Sequence, residues 1–293
     1  MENFKSGFVS IVGKPNVGKS TLVNKILGEK ISIVTPKPQT TRQQIKGIYN
    51  DDNSQIIFLD TPGFLHPRYE LQHKMLEYIN QSLKDSDLIL YICDANHYPT
   101  DYDRQIYENI AKLRTPKLAI LNKIDLVTKA KKAELEKQLQ QLRFEEVTPV
   151  CLTETVDLAE IFANIKKFLP YGPAFYDPND ISDLPVRFFV QEIIREQIFL
   201  HLREELPYAS TVVVEQFKET EKKIEIAANI WIERKSQKII IIGKQGQMIK
   251  QIRIASEKEI HKILGKRIKL NLWIKIKPNW RNKKNALKEF GYR

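Results

Sequence analysis

Only two cysteines, Cys93 and Cys151, occur in this sequence of 293 residues, too few for a disulfide framework. Neither sits at a metal-ligand spacing, and that scarcity suits a reducing cytosol. The five histidines are scattered, with no pair at zinc-binding spacing. No apolar run approaches the ~20 residues that a membrane span requires. No basic-then-apolar leader opens Met1–Ser6, so a soluble chain is expected. Internal repeats and low-complexity tracts are also missing.

What is present supports packed domains. An apolar fraction of 42% excludes wholesale disorder. The length admits two ordinary domains. The net charge of +11 is unevenly placed: residues 1–170 hold 23 basic against 21 acidic side chains, whereas the 59 residues from Lys235 onward hold 17 against 3. A surplus confined to one end points to an anionic partner, most often nucleic acid. The plainer alternative is a solvated lysine-rich face.

Residues 1–170 alternate short apolar runs with helical patterns, as a doubly wound α/β sheet requires. The runs Phe8–Val12, Gln55–Leu59, Leu88–Cys93, Lys117–Leu121 and Thr148–Leu152 predict strands. Lys19–Leu27 predicts a helix, with Leu22, Val23, Ile26 and Leu27 on one face. Turn residues cluster around Pro170-Tyr171-Gly172-Pro173 and Asp177-Pro178, which predicts a linker over 171–186. Residues 187–293 then read as a second domain. A helix is expected over Arg187–Leu206, strands over Ala209–Phe217 and Lys223–Glu233, a helix near Ile249–Ile263 and a strand over Lys269–Lys277. By propensity Ile239–Ile242 would be a strand.

Gly13-Lys14-Pro15-Asn16-Val17-Gly18-Lys19-Ser20, followed by Thr21, matches the phosphate-binding P-loop between a strand and a helix. Its glycines let successive backbone N–H groups face phosphate oxygens at a helix N-terminus. Lys19 is expected to reach the β- and γ-phosphates, and Ser20 to hold Mg²⁺. Asp60-Thr61-Pro62-Gly63 follows a strand, as a second Mg²⁺ aspartate and a γ-phosphate-sensing N–H should. Asn122-Lys123-Ile124-Asp125 selects the base. A carboxylate at Asp125 accepts from the N1–H and the exocyclic amine of guanine, donors that adenine lacks there. Asn122 should tie this loop to the P-loop, with the Lys123 stem over the base. GTP and GDP are the implied nucleotides.

Between these motifs, Thr40 or Thr41 can complete the Mg²⁺ shell only while the γ-phosphate is present; Thr41 is favoured, but the spacing leaves both open. Phe64 stands where Ras-like switches carry the catalytic glutamine. Hydrolysis must then rest on positioning and charge, with Lys19, Thr41 and Gly63 as the catalytic set and slow turnover expected. In the second domain, Gly243-Lys244-Gln245-Gly246 is a GxxG loop, with Lys250 on the helix that follows. Such a loop lets backbone approach a phosphodiester. Lys275, Lys277, Arg281, Lys283 and Lys284, with Trp273 and Trp280 among them, are candidates to extend an RNA track. The strand alternation slightly favours a core position for Trp273.

In order along the chain, these motifs resemble the Era family of bacterial ribosome-assembly GTPases. Pro38-Gln39-Thr40-Thr41-Arg42, Asp60–Gly63, Glu192-Ile193-Ile194-Arg195-Glu196, Glu205-Leu206-Pro207-Tyr208 and Ile242–Lys250 carry the likeness. So does the ending from Trp280 through Gly291 and Tyr292. The resemblance implies a Ras-like P-loop NTPase sheet followed by an α+β type II KH domain. That domain would bind the 3′ end of small-subunit ribosomal RNA during 30S subunit assembly. It also implies a helix rather than a strand just before the GxxG loop, a monomer, and a cytoplasmic location with peripheral association at the inner membrane face. In related glutamine-less GTPases an asparagine at the Asn16 position helps hold K⁺, so K⁺ activation is implied here. One departure stands out. The guanine-contacting loop usually reads Ser-Ala in this family and is Cys151-Leu152 here, where the Leu152 N–H is expected to reach guanine O6. Two other classes compete, an RNA chaperone braced by a vestigial GTPase and a membrane-bound signalling GTPase. The intact nucleotide motifs argue against the first and the GxxG spacing against the second.

Overall fold

The structure, a computed structural model, describes residues 4–154 and 158–292. Contacts divide the chain into two compact units. The first comprises Met1–Ser32, Thr41–Pro67 and Met75–Asp183, and the second Ile33–Thr40, Arg68–Lys74 and Leu184–Arg293.

In the first part of the chain the elements run β1 (Lys5–Val12), α1 (Lys19–Leu27), β2 (Ile45–Asp51), β3 (Ser54–Asp60), α2 (Glu70–Asp85), β4 (Leu88–Asp94), α3 (Asp101–Ala111), β5 (Lys117–Asn122), α4 (Lys129–Gln140), β6 (Glu146–Val150) and α5 (Ala159–Phe168). The sheet order is β2-β3-β1-β4-β5-β6, parallel except for β2 against β3. Strands β3 and β4 are buried at every position, as expected where helices cover both faces. The register pairs Ile11 with Asp60 and Asp94 with Asn122. The motif loops therefore leave the sheet at its carboxyl edge, where doubly wound folds bind ligands.

Strand β2 has no counterpart among the sequence-derived strands. Its residues, Ile-Lys-Gly-Ile-Tyr-Asn-Asp, form no continuous apolar run, and only pairing with β3 across the tight Asp52-Asn53 turn makes them a strand. Of the stretch expected as a linker, the part up to Asp183 groups with the first unit. The Gln55 side chain accepts from the N–H groups of Phe175 and Tyr176, Ile48 N–H donates to Ile181 C=O, and Lys46 pairs with Asp183 at 2.6 Å. Turn residues break helix and strand periodicity without preventing such an extended strap, which is why composition alone made it a linker.

The second unit holds α6 (Val186–His201), α7 (Leu206–Ala209), β7 (Thr211–Glu219), β8 (Lys223–Ile232), α8 (Lys235–Ile242), α9 (Gln247–Leu264), β9 (Arg267–Ile276) and α10 (Lys284–Glu289). Its sheet is β7-β8-β9, antiparallel then parallel. This is the α-β-β-α-α-β order of a type II KH domain. Ile194 and Ile198 of α6, Ile230 of β8, Ile241 of α8, and Ile252 and Ile260 of α9 meet in its core. The β-branched run before the GxxG loop is helical, against its propensity. The Gln237 side chain accepts from the N–H groups of Glu233 and Arg234 at 2.9 and 3.0 Å and holds the helix start. Only Ile241 of the last turns reaches the core, while Ile239 is 71% exposed. Tertiary burial of one face outweighs a local preference worth tenths of a kcal/mol per residue.

Candidate functional site

The P-loop is built by steric demand. A Cβ on Gly13 would stand 2.3 Å from the Ile92 carbonyl, and one on Gly18 would stand 2.4 Å from the Asn122 amide nitrogen. Gly18 also sits at φ +109°, a region that side chains rarely enter. The loop between them curls around Lys19, whose Nζ donates to the carbonyls of Gly13 and Lys14 at 3.1 and 2.9 Å. Burial lowers the pKa of Lys19 to about 8, with Asp60 pulling the other way. Val17 is buried, Asn16 is exposed at φ 62°, and Thr21 follows Ser20 into the first turn of α1. One side chain departs from expectation. Lys14 Nζ turns to the Asp103 carboxylate and the His97 carbonyl, both at 3.0 Å, so Lys14 braces the loop against α3.

Three oxygens converge beside the loop. Ser20 Oγ donates to Asp60 Oδ2 at 2.8 Å, and Thr41 Oγ1 lies 3.0 Å from Ser20 Oγ and 3.5 Å from Asp60 Oδ2. Asp60 is fully buried, and among the described residues its Oδ1 has no hydrogen-bond partner. Burial pushes its carboxyl pKa up, opposed first by the nearby Ser32 hydroxyl and then by Lys19, Ser20 and Thr41. Leaving such an oxygen unpaired is costly, and an all-oxygen donor set with a carboxylate suits Mg²⁺. These residues fit that ion. The Thr40 carbonyl is engaged by Arg195, while the Thr41 side chain faces the cluster, so geometry favours Thr41.

The loop after β3 is fastened to the P-loop. Thr61 Oγ1 donates to the Ile11 carbonyl at 2.7 Å, and Phe64 N–H donates to the Gly13 carbonyl at 3.1 Å. Pro62 is buried, and a Cβ on Gly63 would meet Pro15 at 2.8 Å. The Phe64 side chain packs against the cluster around Tyr91 and Ile106, a packing role in keeping with chemistry that uses no glutamine.

Asn122 joins three loops. Its Nδ2 donates to the Val17 carbonyl at 2.7 Å, and its Oδ1 accepts the Leu152 N–H at 3.1 Å. The Leu152 N–H, expected to reach guanine O6, thus donates to Asn122. The Leu152 side chain is buried beside Gly18, which is where the larger residue is accommodated. Cys151 Sγ lies 3.1 Å from Thr153 Oγ1. Lys123, at φ 62°, is pinned by Asp94 at 2.8 Å. Asp125 is exposed at the rim, so the penalty for a wrong base arises only once the nucleotide covers it.

In the second unit the GxxG loop forms a turn between α8 and α9, with Gly243 at φ 69°, Gln245 at 51° and Gly246 at 77°. Beside α9 lies a groove of about 320 Å³ lined by Ile249, Lys250, Arg253, Asn271, Leu272 and Trp273. Trp273 is 51% exposed, contrary to the core position that alternation favoured, because its side chain leaves the sheet on the face away from the core. The proposed basic track shrinks. Trp280 is fully buried and donates to the Ala209 carbonyl at 2.9 Å. Arg281 pairs with Glu233 at 2.6 Å, Lys277 pairs with Glu289, and Lys275 lies over the Trp231 ring. Lys283 and Lys284 are exposed.

Among the described residues no helix is long and apolar enough to cross a membrane. A family model described as 50S ribosome-binding GTPase matches residues 8–123, and a KH domain model matches 205–281. GTPase Era of Caldicellulosiruptor saccharolyticus is 44% identical over 99% of this chain and 98% of its own length. GTPase Era of Halothermothrix orenii is 41% identical over 99% of both. Among solved structures, Era in complex with MgGDPNP and nucleotides 1506–1542 of 16S ribosomal RNA superposes with a TM-score of 0.94, at 39% identity over 99% of each chain. An Aquifex aeolicus Era variant bound to GDP·AlF4⁻ superposes with a TM-score of 0.95 at 38% identity, again over 99% of each chain.

Proposed function

The chain belongs to the Era family of GTPases, and from that premise we propose that it is a GTP-driven switch that binds small-subunit ribosomal RNA near its 3′ end and assists 30S subunit assembly. One observation carries the reading. Ser20, Thr41 and Asp60 converge beside the P-loop of a chain that also carries a GxxG turn, with a half-apolar groove lined by Lys250 and Arg253 along the helix that follows that turn.

Each residue has a task in hydrolysis. The N–H groups of Gly13–Ser20 orient the phosphates, and Lys19 offsets charge on the β- and γ-phosphoryl oxygens. Asn122 holds the base loop on the P-loop, and Asp125 selects guanine. Gly63 presents an N–H toward the γ-phosphate side while Phe64 anchors the loop in the core. Mg²⁺, held by Ser20, Thr41 and Asp60, would supply positive charge to the phosphates. With no side-chain amide at position 64, rate enhancement rests on positioning and electrostatics, and slow intrinsic turnover follows.

In the KH unit, Gly243–Gly246 clamp the phosphodiester backbone while Lys244 and Lys250 supply charge. Asn16 is the residue to which K⁺ activation attaches by family likeness. Replacing Na⁺ with K⁺ in a turnover assay tests it, and equal rates would remove K⁺ from the mechanism. A cytoplasmic monomer that also visits the inner membrane face completes the reading. The test of the whole is binding to a fragment of the 16S 3′ end with GTP analogue or GDP present. Nucleotide-dependent, sequence-selective binding is expected, and equal affinity for a scrambled RNA would sink it.

A further inference from the structure

The Glu192–Glu196 motif finds no role in nucleotide or RNA binding as described above. Its location in the fold supplies one. Residues Ile33–Thr40 group with the KH-containing unit, although the chain enters them from Ser32 and leaves to Thr41 in the nucleotide-binding unit. Helix α6 holds this segment at three points. Val34 N–H donates to Glu196 Oε1 at 3.2 Å. Lys37 Nζ donates to the carbonyls of Phe199 and Leu202, at the negative end of the helix. Arg195 Nη2 donates to the Thr40 carbonyl.

Arg195 is the costly member. It is 1% exposed, yet carries a full charge. Burial opposes that charge, and Glu192 outweighs the opposition, so its pKa stands above the ordinary arginine value. Glu192 meets it in a fork, with Nε donating to Oε1 at 2.8 Å and Nη2 donating to Oε2. The guanidinium lies over the Phe199 ring at 5.5 Å, and Nη1 is buried with no hydrogen-bond partner among the described residues. A buried ion pair of this kind is generally no more stabilising than apolar residues of equal volume. Stability therefore gives no reason for an arginine here. Its capture of one backbone carbonyl does.

That carbonyl belongs to the residue before Thr41. One peptide unit further on, Thr41 Oγ1 stands 3.0 Å from Ser20 Oγ, within the Mg²⁺ oxygen cluster. We propose that Arg195 is a positioning residue for the GTP-bound state: by holding the Thr40 carbonyl it sets the peptide that places the Thr41 hydroxyl, and so links the γ-phosphate side of the nucleotide site to helix α6. The inference rests on the reading of Thr41 as a γ-phosphate-dependent Mg²⁺ ligand. Linkage is reciprocal, so whatever shifts α6 also shifts the preference for GTP over GDP.

The full-length chain serves as the test, in Mg²⁺ buffer, with affinities for fluorescent GDP and a non-hydrolysable GTP analogue. Arg195→Gln should raise the Kd for the analogue about tenfold, within the usual range of allosteric coupling, and leave the Kd for GDP within about twofold. Arg195→Lys, which keeps the charge but loses the fork, should fall between. If Arg195→Gln melts early or loses GDP affinity equally, Lys37→Ala carries the test from a partly exposed position of the same Ile33–Thr40 segment. It should lower the analogue-over-GDP preference about threefold, a fraction of the full coupling. Thr41→Ala separates the two ways to fail. If it lowers the preference while the folded Arg195 and Lys37 variants do not, the role of Arg195 is overturned. If Thr41→Ala itself leaves the preference unchanged, the Thr41 reading fails and the proposal with it.

Discussion

Replacing Asn122 by alanine removes two buried hydrogen bonds at once, to the Val17 carbonyl at 2.7 Å and from the Leu152 N–H at 3.1 Å. Both backbone groups lose their side-chain partner at a position where Asn122 itself is only 3% exposed. Each buried group left unpaired costs about 1–3 kcal/mol, for a total of about 2–6 kcal/mol. Part of that appears as lost stability of the nucleotide-free protein and part as lost affinity. The lower bound of about 2 kcal/mol, taken wholly in binding, corresponds to roughly thirtyfold weaker GDP binding. Thermal melts without nucleotide and displacement of a fluorescent GDP apportion the two. Asn122→Asp sharpens the test. Its carboxylate keeps an acceptor for Leu152 but sets a second oxygen against the Val17 carbonyl. That contact raises the pKa of the new carboxyl, so lowering the pH protonates it, restores a donor and should recover affinity. A folded Asn122→Ala protein with GDP affinity within threefold of the parent and an unchanged melting temperature would refute the claim that this residue joins the three loops.

Further outcomes follow from other contacts. Asp125→Asn should move preference from GTP toward xanthosine triphosphate, read by competition, because the pattern of donors and acceptors facing the base is exchanged; unchanged selectivity would remove Asp125 as the base reader. Lys19, with a pKa of about 8 in the nucleotide-free site, should be re-protonated when phosphates arrive. Calorimetry in buffers of different ionisation enthalpy should show uptake of about half a proton at pH 8 and almost none near pH 6.5; buffer-independent heats at both pH values would contradict it. The same depressed pKa means that the unfolded lysine, at 10.5, binds more protons than the folded one between about 8 and 10.5. Stability of the nucleotide-free chain should thus gain from Lys19 as pH rises through that window and lose the gain as pH falls through about 8. In the KH unit, Gly243→Ala should cost stability, since its Cβ would stand 2.7 Å from Met248 Cβ at φ +69°. Gly246 has open space around it but also sits at φ +77°, so Gly246→Asp should carry backbone strain without a clash, cost less stability than Gly243→Ala, and weaken RNA binding by setting a negative charge at the clamp. Equal melting losses from both variants would show that the two glycines do not divide these roles.

The sequence reading and the structure part company at identifiable residues. Helix Lys19–Leu27 has the same bounds in both, because the P-loop fixes its start and the αL glycine at Gly28 its end. The buried strands were visible because full burial demands continuous apolar runs. Strand β2 was not, since an edge strand with Lys46 and Gly47 carries little apolar signal before its partner is known. Lys14 lay inside a phosphate-binding motif and was read with it, yet nothing in the motif shows that its side chain is drawn to Asp103, 89 residues away. The basic residues from Lys275 to Lys284 looked like a continuous track. Glu233 and Glu289 neutralise two of them, pairings that a linear charge count cannot contain.

Local chemistry thus sufficed for the kind of nucleotide and for the P-loop and GxxG turns, because each rests on residues close together in the chain. Gly13 to Ser20, Asn122 to Asp125 and Gly243 to Gly246 are short enough for spacing alone to imply geometry. Tertiary structure decided what depends on distant partners. It set the Thr41 hydroxyl beside Ser20 and Asp60, gave the Leu152 N–H to Asn122, buried Trp280 and exposed Trp273. It also set Arg195 against the Thr40 carbonyl, a hydrogen bond across 155 positions. Such contacts form only when chain closure brings the segments together, and no local pattern encodes which closure will win.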